Sequence, residues 1–225
     1  SYNASLRVGD IICFAAQPKE TEQFLHMCGI RSRMPKHAII IGAGRIAYYL
    51  VRMMRKIGMS PVVIEKNVAT AEAFSQESPD VLVINADGTN RDILAEEGID
   101  ATDAFVALTG TDEVNILMGM YAHRMKVPKV VTKISRSSML DLIDTSHTGS
   151  VVCPRDIVSD RVISYVRAMN YAGGSNVETV YRIAGGTAEA VEFRVREENK
   201  DMTGIPLKDL KIKEGVLLCA ILRNG

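Results

Sequence analysis

The sequence predicts an α/β fold, a doubly wound parallel sheet of six strands. Three observations predict it. Between residues 37 and 170, short runs of Ile, Val and Leu alternate with amphipathic stretches, the pattern of strands buried on both faces and joined by helices. The first run leads straight into Gly42-Ala43-Gly44-Arg45-Ile46-Ala47, a glycine loop between a strand and a helix. The second run closes on an acid, Glu65, 21 residues after Gly44. Loop and acid together make the sheet Rossmann-like.

The elements follow in order. Residues 6–30 read as a turn (Val8-Gly9-Asp10), a strand from Ile11 to Ala15 and a helix from about Glu20 to Met27. One strand and one helix cannot bury their own faces, so residues 1–30 read as the end of a preceding small domain. Gly29 to Pro35, with Arg31 and Arg33, reads as a linker, bounded at 31–36. Strands are then expected at His37–Ile41, Pro61–Glu65, Val81–Asn85, Ala104–Leu108, Lys129–Lys133 and Ser150–Cys153. The helices between and after them are expected near Arg45–Ile57, Val68–Gln76, Arg91–Glu97, Asp112–Lys126, Ser138–Ile143 and Asp156–Met169. So many short helices do not suit a bundle.

Tyr171 to Asn176 is a glycine-rich break, with the linker proper at 171–176. Beyond it the pattern turns β-like: Val177–Ile183, a Gly185-Gly186 turn, Ala190–Val195, and a last apolar run Val216–Leu222. Residues 177–225 make only a partial domain. Arg7 to Ile12 would suit the strand that comes after Leu222. This suggests a tandem protein cut inside two copies of one small β domain.

The loop residues define a chemistry. Gly42 permits the tight turn, Gly44 lets a pyrophosphate approach the backbone, and Ala47 lets the helix pack close to the sheet. The helix N-terminus offers N–H groups and the positive dipole end to phosphates. Arg45, in the first turn, can add a charge, and Ile46 completes the motif. Glu65 suits the hydroxyls of an adenosine ribose and repels a 2′-phosphate. That favours NAD over NADP but does not separate NAD from ATP, ADP or AMP. Asp87, with Gly88 and Thr89, either caps the next helix or meets the adenine side of a ligand. Thr109 and Thr111 follow the fourth strand and can bond phosphate or ribose, and Asn115, one turn on, can point back at them. Asp112 and Glu113 suit the N-terminal dipole of their helix.

Composition narrows the partners. Lys+Arg and Asp+Glu both number 27, so the chain has no basic excess with which to bind nucleic acid or anionic membrane. The aromatic share is 5% with no Trp, leaving a core of Ile, Val, Leu, Ala and 11 Met. Met53, Met54, Met118, Met120 and Met125 fall on helices and read as core or dimer packing. Cys13, Cys28, Cys153 and Cys219 stand far apart without a C-x-x-C pair, which argues against zinc and for reduced, cytoplasmic thiols. There is neither a signal-peptide pattern nor an apolar run of membrane-spanning length.

Taken together, Gly42-Ala43-Gly44-Arg45, Val63-Ile64-Glu65, Asp87-Gly88-Thr89, Thr109-Gly110-Thr111-Asp112-Glu113-Val114-Asn115 and Val152-Cys153-Pro154 resemble the RCK domain, also called TrkA-N or KTN. Ala47 departs from the third glycine of the usual motif and is tolerated in such folds. The flanks resemble the small TrkA-C domains that follow RCK domains in TrkA regulators of Trk potassium uptake. The resemblance implies an RCK/TrkA-N domain at 37–170 with a crossover helix at its end. It implies binding of NAD(H), or of ATP or ADP, by a regulatory subunit on the cytoplasmic face of a membrane-embedded transporter. It implies homodimers through the domain and its crossover helix, and rings in the full-length protein.

No catalytic residue is expected. No Tyr-x-x-x-Lys occurs: Tyr48, Tyr121, Tyr165 and Tyr181 all lack Lys four residues on. His26 and His37 precede or begin the fold, His123 reads as solvated, and His147 has no visible partner for proton transfer. An NAD-dependent oxidoreductase and a structural ring domain with a vacant site are the alternatives. Arg161, Tyr165 and Arg167 are candidates for contact with a partner subunit.

Overall fold

The computed structural model describes residues 5, 7–8, 16, 18–29, 35–171, 177–183, 188–196, 199, 201–213 and 215–221. The chain divides into two compact units, Arg33–Asp160 and Ser1–Ser32 with Arg161–Gly225. The division falls inside one long helix.

The larger unit is the expected sheet. Its strands are β1 (His37–Ile41), β2 (Ser60–Glu65), β3 (Leu82–Asn85), β4 (Ala104–Ala107), β5 (Lys129–Lys133) and β6 (Ser150–Val152). All neighbours are parallel, in the order β3-β2-β1-β4-β5-β6. The order reverses between β1 and β4, as in two mononucleotide-binding halves laid side by side. A helix α1 (Pro18–Met27) belongs to the smaller unit. The sheet is covered by α2 (Arg45–Lys56), α3 (Val68–Glu77), α4 (Arg91–Glu96) and α5 (Asp112–Arg124).

Alternation along the strands makes two cores. Ala38 and Ile40 of β1 face Ala47, Val51 and Met54 of α2 and Phe74 of α3 on one side. Ile39 and Ile41 face Leu94 of α4 and Met118 and Ala122 of α5 on the other. Every one of these side chains is at least nine-tenths buried. That explains why β1 shows no polar alternation: both of its faces are interior. Met54 and Met118 are core, whereas Met53 and Met120 stand on exposed helix faces.

Several elements differ from expectation. Helix is replaced by two 3-10 turns at Ser137–Leu142 and Thr145–His147. The first is anchored at its start by backbone bonds to Asp112. Its Met139 and Leu140 pack on Ile116, Ile134 and Cys153, so a tight short turn suffices. The last helix, α6 (Pro154–Tyr171), starts two residues early because Pro is favoured in a first helical turn. The smaller unit holds a hairpin of β7 (Val177–Ile183) and β8 (Ala188–Phe193). β8 stops before Val195 because Phe193 already pairs with Val177 at the start of β7. Residues 216–221 join neither sheet, since an apolar run becomes strand only beside a partner. The expected strand at 11–15, the linker residues 30–34, the break at 172–176, the turn at 184–187 and Leu222 lie outside the described residues.

Candidate functional site

The six parallel strands bring their C-terminal ends to one edge, and the candidate residues gather where the strand order reverses. Gly42 follows β1 with φ +97°, a left-handed conformation that favours glycine. Its N–H donates to Ile64 O at 2.8 Å. A Cβ there would lie 2.8 Å from Leu108 O and 2.9 Å from Leu108 C, so the loop and the end of β4 are pressed together. Gly88 is constrained by space alone: a Cβ would sit 2.7 Å from the Ile41 side chain at Cγ2. Gly44 is the opposite case, with nothing within 4 Å of the place a Cβ would take. Its smallness serves no contact within the chain and leaves an open cradle above the loop.

Helix capping separates the elements. Asn67 caps α3 by accepting from Thr70 N, and Asn90 caps α4 by accepting from Asp92 N. α2 and α5 begin at Gly44 and Thr111 without any side-chain cap. These two start beside the reversal point; the Glu113 carboxylate takes its own N–H in the first turn of α5, and the start of α2 offers its N–H groups and dipole to another acceptor. Arg45 stands exposed in the first turn of α2 and makes no ion pair among the described residues. Ile46, beside it, is 45% exposed.

Glu65 ties the loop to the next turn. Its Oε2 accepts from Ala43 N at 2.9 Å and its Oε1 from Asn67 N at 2.8 Å. A carboxylate has about four acceptor positions, so lone pairs remain for ribose hydroxyls. Asp87 Oδ1 accepts from both the N–H and the hydroxyl of Thr89. Those two bonds, aided by the Lys66 charge, hold its carboxyl below the ordinary range against a small burial effect. Of the two readings of Asp87, cap or adenine-side contact, the cap falls to Asn90, and Asp87 bonds Thr89 within its own turn.

The far side of the crevice is built differently. Asn115 is fully buried. Its Oδ1 accepts from the N–H and hydroxyl of Thr109, at 2.9 and 2.7 Å. Its Nδ2 donates to Thr109 O and Lys133 O, at 3.1 and 3.0 Å. Its side chain is therefore engaged within the chain rather than pointing into the crevice. Thr111 N donates to Thr109 Oγ1. Asp112 is 4% exposed and, rather than serving its own helix, reaches across to accept from Ser135 N and Arg136 N at 2.8 and 3.1 Å. Burial pushes its carboxyl up, but those N–H groups, the Ser135 side chain and the Lys133 charge outweigh burial and hold it below the ordinary range. Glu113 pairs with the Arg136 guanidinium.

Sequence reasoning missed Lys133. Its ammonium donates to Thr109 O at 2.8 Å, half-buried at the end of β5. The sequence signal was weak, because β5 reads Lys-Val-Val-Thr-Lys with a Lys at each end. His147 has partners after all: Asp144 at 3.9 Å and the ring of His123, with centroids 5.7 Å apart. Both histidines lie where α5 ends and β6 begins, at the edge of the sheet away from the glycine loop. No group of three or more metal-binding side chains occurs among the described residues.

The TrkA-N domain family model matches residues 38–154, which hold the sheet except His37 and all of the candidate nucleotide-site residues. The chain belongs to the TrkA-N domain family. This TrkA-N chain is 30% identical over 191 residues to a Trk system potassium uptake protein TrkA of Vibrio alginolyticus, covering 84% of the chain and 40% of that protein. It is 26% identical over 220 residues to a TrkA homolog of Methanosarcina mazei, covering 97% and 48%. The chain thus spans less than half the length of these relatives. Among solved structures, the GsuK channel aligns with a TM-score of 0.53 at 18% identity, over 67% of this chain and 27% of the channel's. The TrkA-N domain of the inner membrane protein ybaL from Escherichia coli aligns at 0.51 and 13%, over 59% and 97%. These two establish the fold, in agreement with the Rossmann-like sheet.

Proposed function

We propose that this chain is the nucleotide-sensing part of a regulatory, non-catalytic subunit of a potassium uptake system. One observation carries the reading: the open cradle at Gly44, at the uncapped start of α2, with the Glu65 carboxylate fixed beside it. A pyrophosphate needs free N–H groups and no Cβ in its way, and an adenosine ribose needs a carboxylate. Arg45 and Lys133 supply charge at the two edges of the crevice. NAD(H) fits this set, and ATP or ADP would use its adenosine half. A neighbour of the same fold is titled as the GsuK channel bound to NAD, and the relatives are named as potassium uptake proteins; both support the reading.

The ligand acts by population shift. It spans elements from both halves of the sheet and biases the arrangement it binds more tightly. The transmitting surface is α6, which leaves Ile157, Val158, Val162, Ile163, Tyr165 and Val166 exposed. An apolar helix face of this kind seats a second copy of the chain as a homodimer, with rings forming in the full-length protein. The partner is a membrane-embedded transporter, which places the chain at the cytoplasmic face of the membrane. No helix among the described residues is long and apolar enough to cross a membrane.

The test is the melting temperature with NAD, NADH, NADP, ATP, ADP and AMP, followed by NADH absorbance with candidate alcohols. A ligand at 100 times its dissociation constant adds about 2.7 kcal/mol of stability. The reading expects a clear rise with NAD(H) or ATP and no turnover. Turnover would replace regulation with hydride transfer, and no rise with any nucleotide would leave a structural ring domain.

A further inference from the structure

Beside the Gly44 cradle, a cleft runs down between α2 and α3. It holds about 570 Å³, within the roughly 300–1,000 Å³ of small-molecule sites. Ala43, Gly44 and Arg45 line its mouth together with Thr70, in the first turn of α3. Glu65 stitches that mouth, its Oε2 accepting from Ala43 N and its Oε1 from Asn67 N at the cap of α3. A ribose held by Glu65 therefore turns its hydroxyl edge toward the cleft, and a group carried on the 2′ or 3′ oxygen enters it.

Inside, the lining is aromatic. The Tyr48 ring meets Tyr49 edge-on, with centroids 5.3 Å apart, and Phe74 at 6.4 Å. Arg52 fixes Tyr48 by donating to its hydroxyl at 2.8 Å, with the guanidinium over the ring. Phe74 is buried, whereas Tyr49 is 63% exposed, so the Tyr49 ring is supported from behind with much of its surface free. Glu77 lines the same cleft further down, seven residues after Thr70 and so about 10 Å along α3. Neither Arg45 nor Glu77 makes an ion pair among the described residues.

We propose that this cleft takes a second nucleotide joined to the first through a ribose 2′ or 3′ oxygen, so that the chain binds a 5′-phosphorylated linear dinucleotide. The proposal rests on the nucleotide reading above and extends it to the space between α2 and α3. The linking phosphate falls to Arg45, whose guanidinium suits a phosphodiester. The second base stacks on Tyr49, as bases do on exposed aromatic rings. An exocyclic amine on that base donates to the Glu77 carboxylate. Substitution at one ribose oxygen leaves the other hydroxyl for Glu65. A simple 2′-phosphate turns a second negative charge toward Glu65 and brings no ring to Tyr49. The 5′ end of an RNA offers the same chemistry, but the chain has no basic excess with which to hold a longer strand.

Titration calorimetry on the whole chain tests this with AMP, with 5′-phosphoadenylyl-(3′→5′)-adenosine (pApA) and with 5′-phosphorylated hexa-adenylate. The native chain is expected to bind pApA about tenfold more tightly than AMP, the gain from one stacked base. Tyr49→Ala should abolish that gain while leaving AMP affinity within about twofold. Tyr49→Phe keeps the ring and should restore the gain. Tyr49 is exposed, so neither variant is expected to loosen the fold. Hexa-adenylate should bind no more tightly than pApA, and tighter binding would overturn the assignment to a free dinucleotide. A native chain that binds AMP as tightly as pApA would overturn the proposal and leave the nucleotide reading intact. So would a gain that survives Tyr49→Ala, or equal losses of AMP and pApA in that variant. A native chain that binds neither would overturn both.

Discussion

The two walls of the crevice meet at the β1–β4 junction and solve opposite problems. On the β1–β2 wall the loop residues Gly42, Ala43 and Gly44 are small, α2 starts without a side-chain cap, and Glu65 anchors the loop through Ala43 N. On the β4–β5 wall the backbone is shielded behind a hydrogen-bonded lattice of Thr109, Asn115, Asp112 and Lys133. The first wall depends on what is missing, which is why glycines mark it. The second depends on side chains that satisfy backbone N–H and C=O groups of neighbouring strands and loops, so loss of a member leaves its backbone partner without a bond.

That contrast can be attacked from either side. The largest effect is expected at Gly42, where φ is +97° and a Cβ would meet Leu108 O at 2.8 Å. Gly42→Ala should destabilise the larger unit by about 2–4 kcal/mol, read by denaturant unfolding. Glu65→Ala should come next, since two N–H groups lose their acceptor. NAD affinity is expected to fall by roughly tenfold or more, with about 1–2 kcal/mol lost in stability. Glu65→Gln, which keeps an acceptor, should recover part of both.

Acid should expose the second wall. The folded Asp112 carboxyl is held below its ordinary range, so the stability it contributes is present above its unfolded pKa, about 3.9. That contribution is lost as pH falls through the lower folded value. Asp112→Asn should therefore show a shallower decline in melting temperature below about pH 4 than the native chain. Asn67→Ala removes the acceptor that caps α3 through Thr70 N and keeps the Asn67 N–H bond to Glu65. It should cost about 1 kcal/mol with little change in affinity, the smallest effect of the set.

The sequence made the first wall legible and the second only in part. Gly42, Gly44 and Glu65 carry their meaning in type and spacing, because a backbone turn and a strand-end carboxylate are local features. The six strands were legible as well, β1 and β4 as continuous apolar runs buried on both faces and the others from their Val, Ile and Leu between helices. Asp112 reads as a dipole partner in sequence, and only the fold shows it reaching Ser135, 23 residues away. Lys133 was missed for the same reason: its role depends on which strand lies beside β5. The segment after β5 was read as an α-helix because its apolar spacing suits one, whereas its anchoring to Asp112 and its packing on Ile134 make it a 3-10 turn.

The most direct measurement is NAD titration into the native chain and into Gly44→Val. The Gly44 backbone, at φ −79° and ψ −179°, is open to L residues, and a Cβ added there has nothing within 4 Å. The variant should therefore melt within about 2 °C of the native chain, as surface changes do, yet lose NAD binding altogether. A folded Gly44→Val that binds NAD as tightly as the native chain would contradict the assignment of the cradle to a nucleotide.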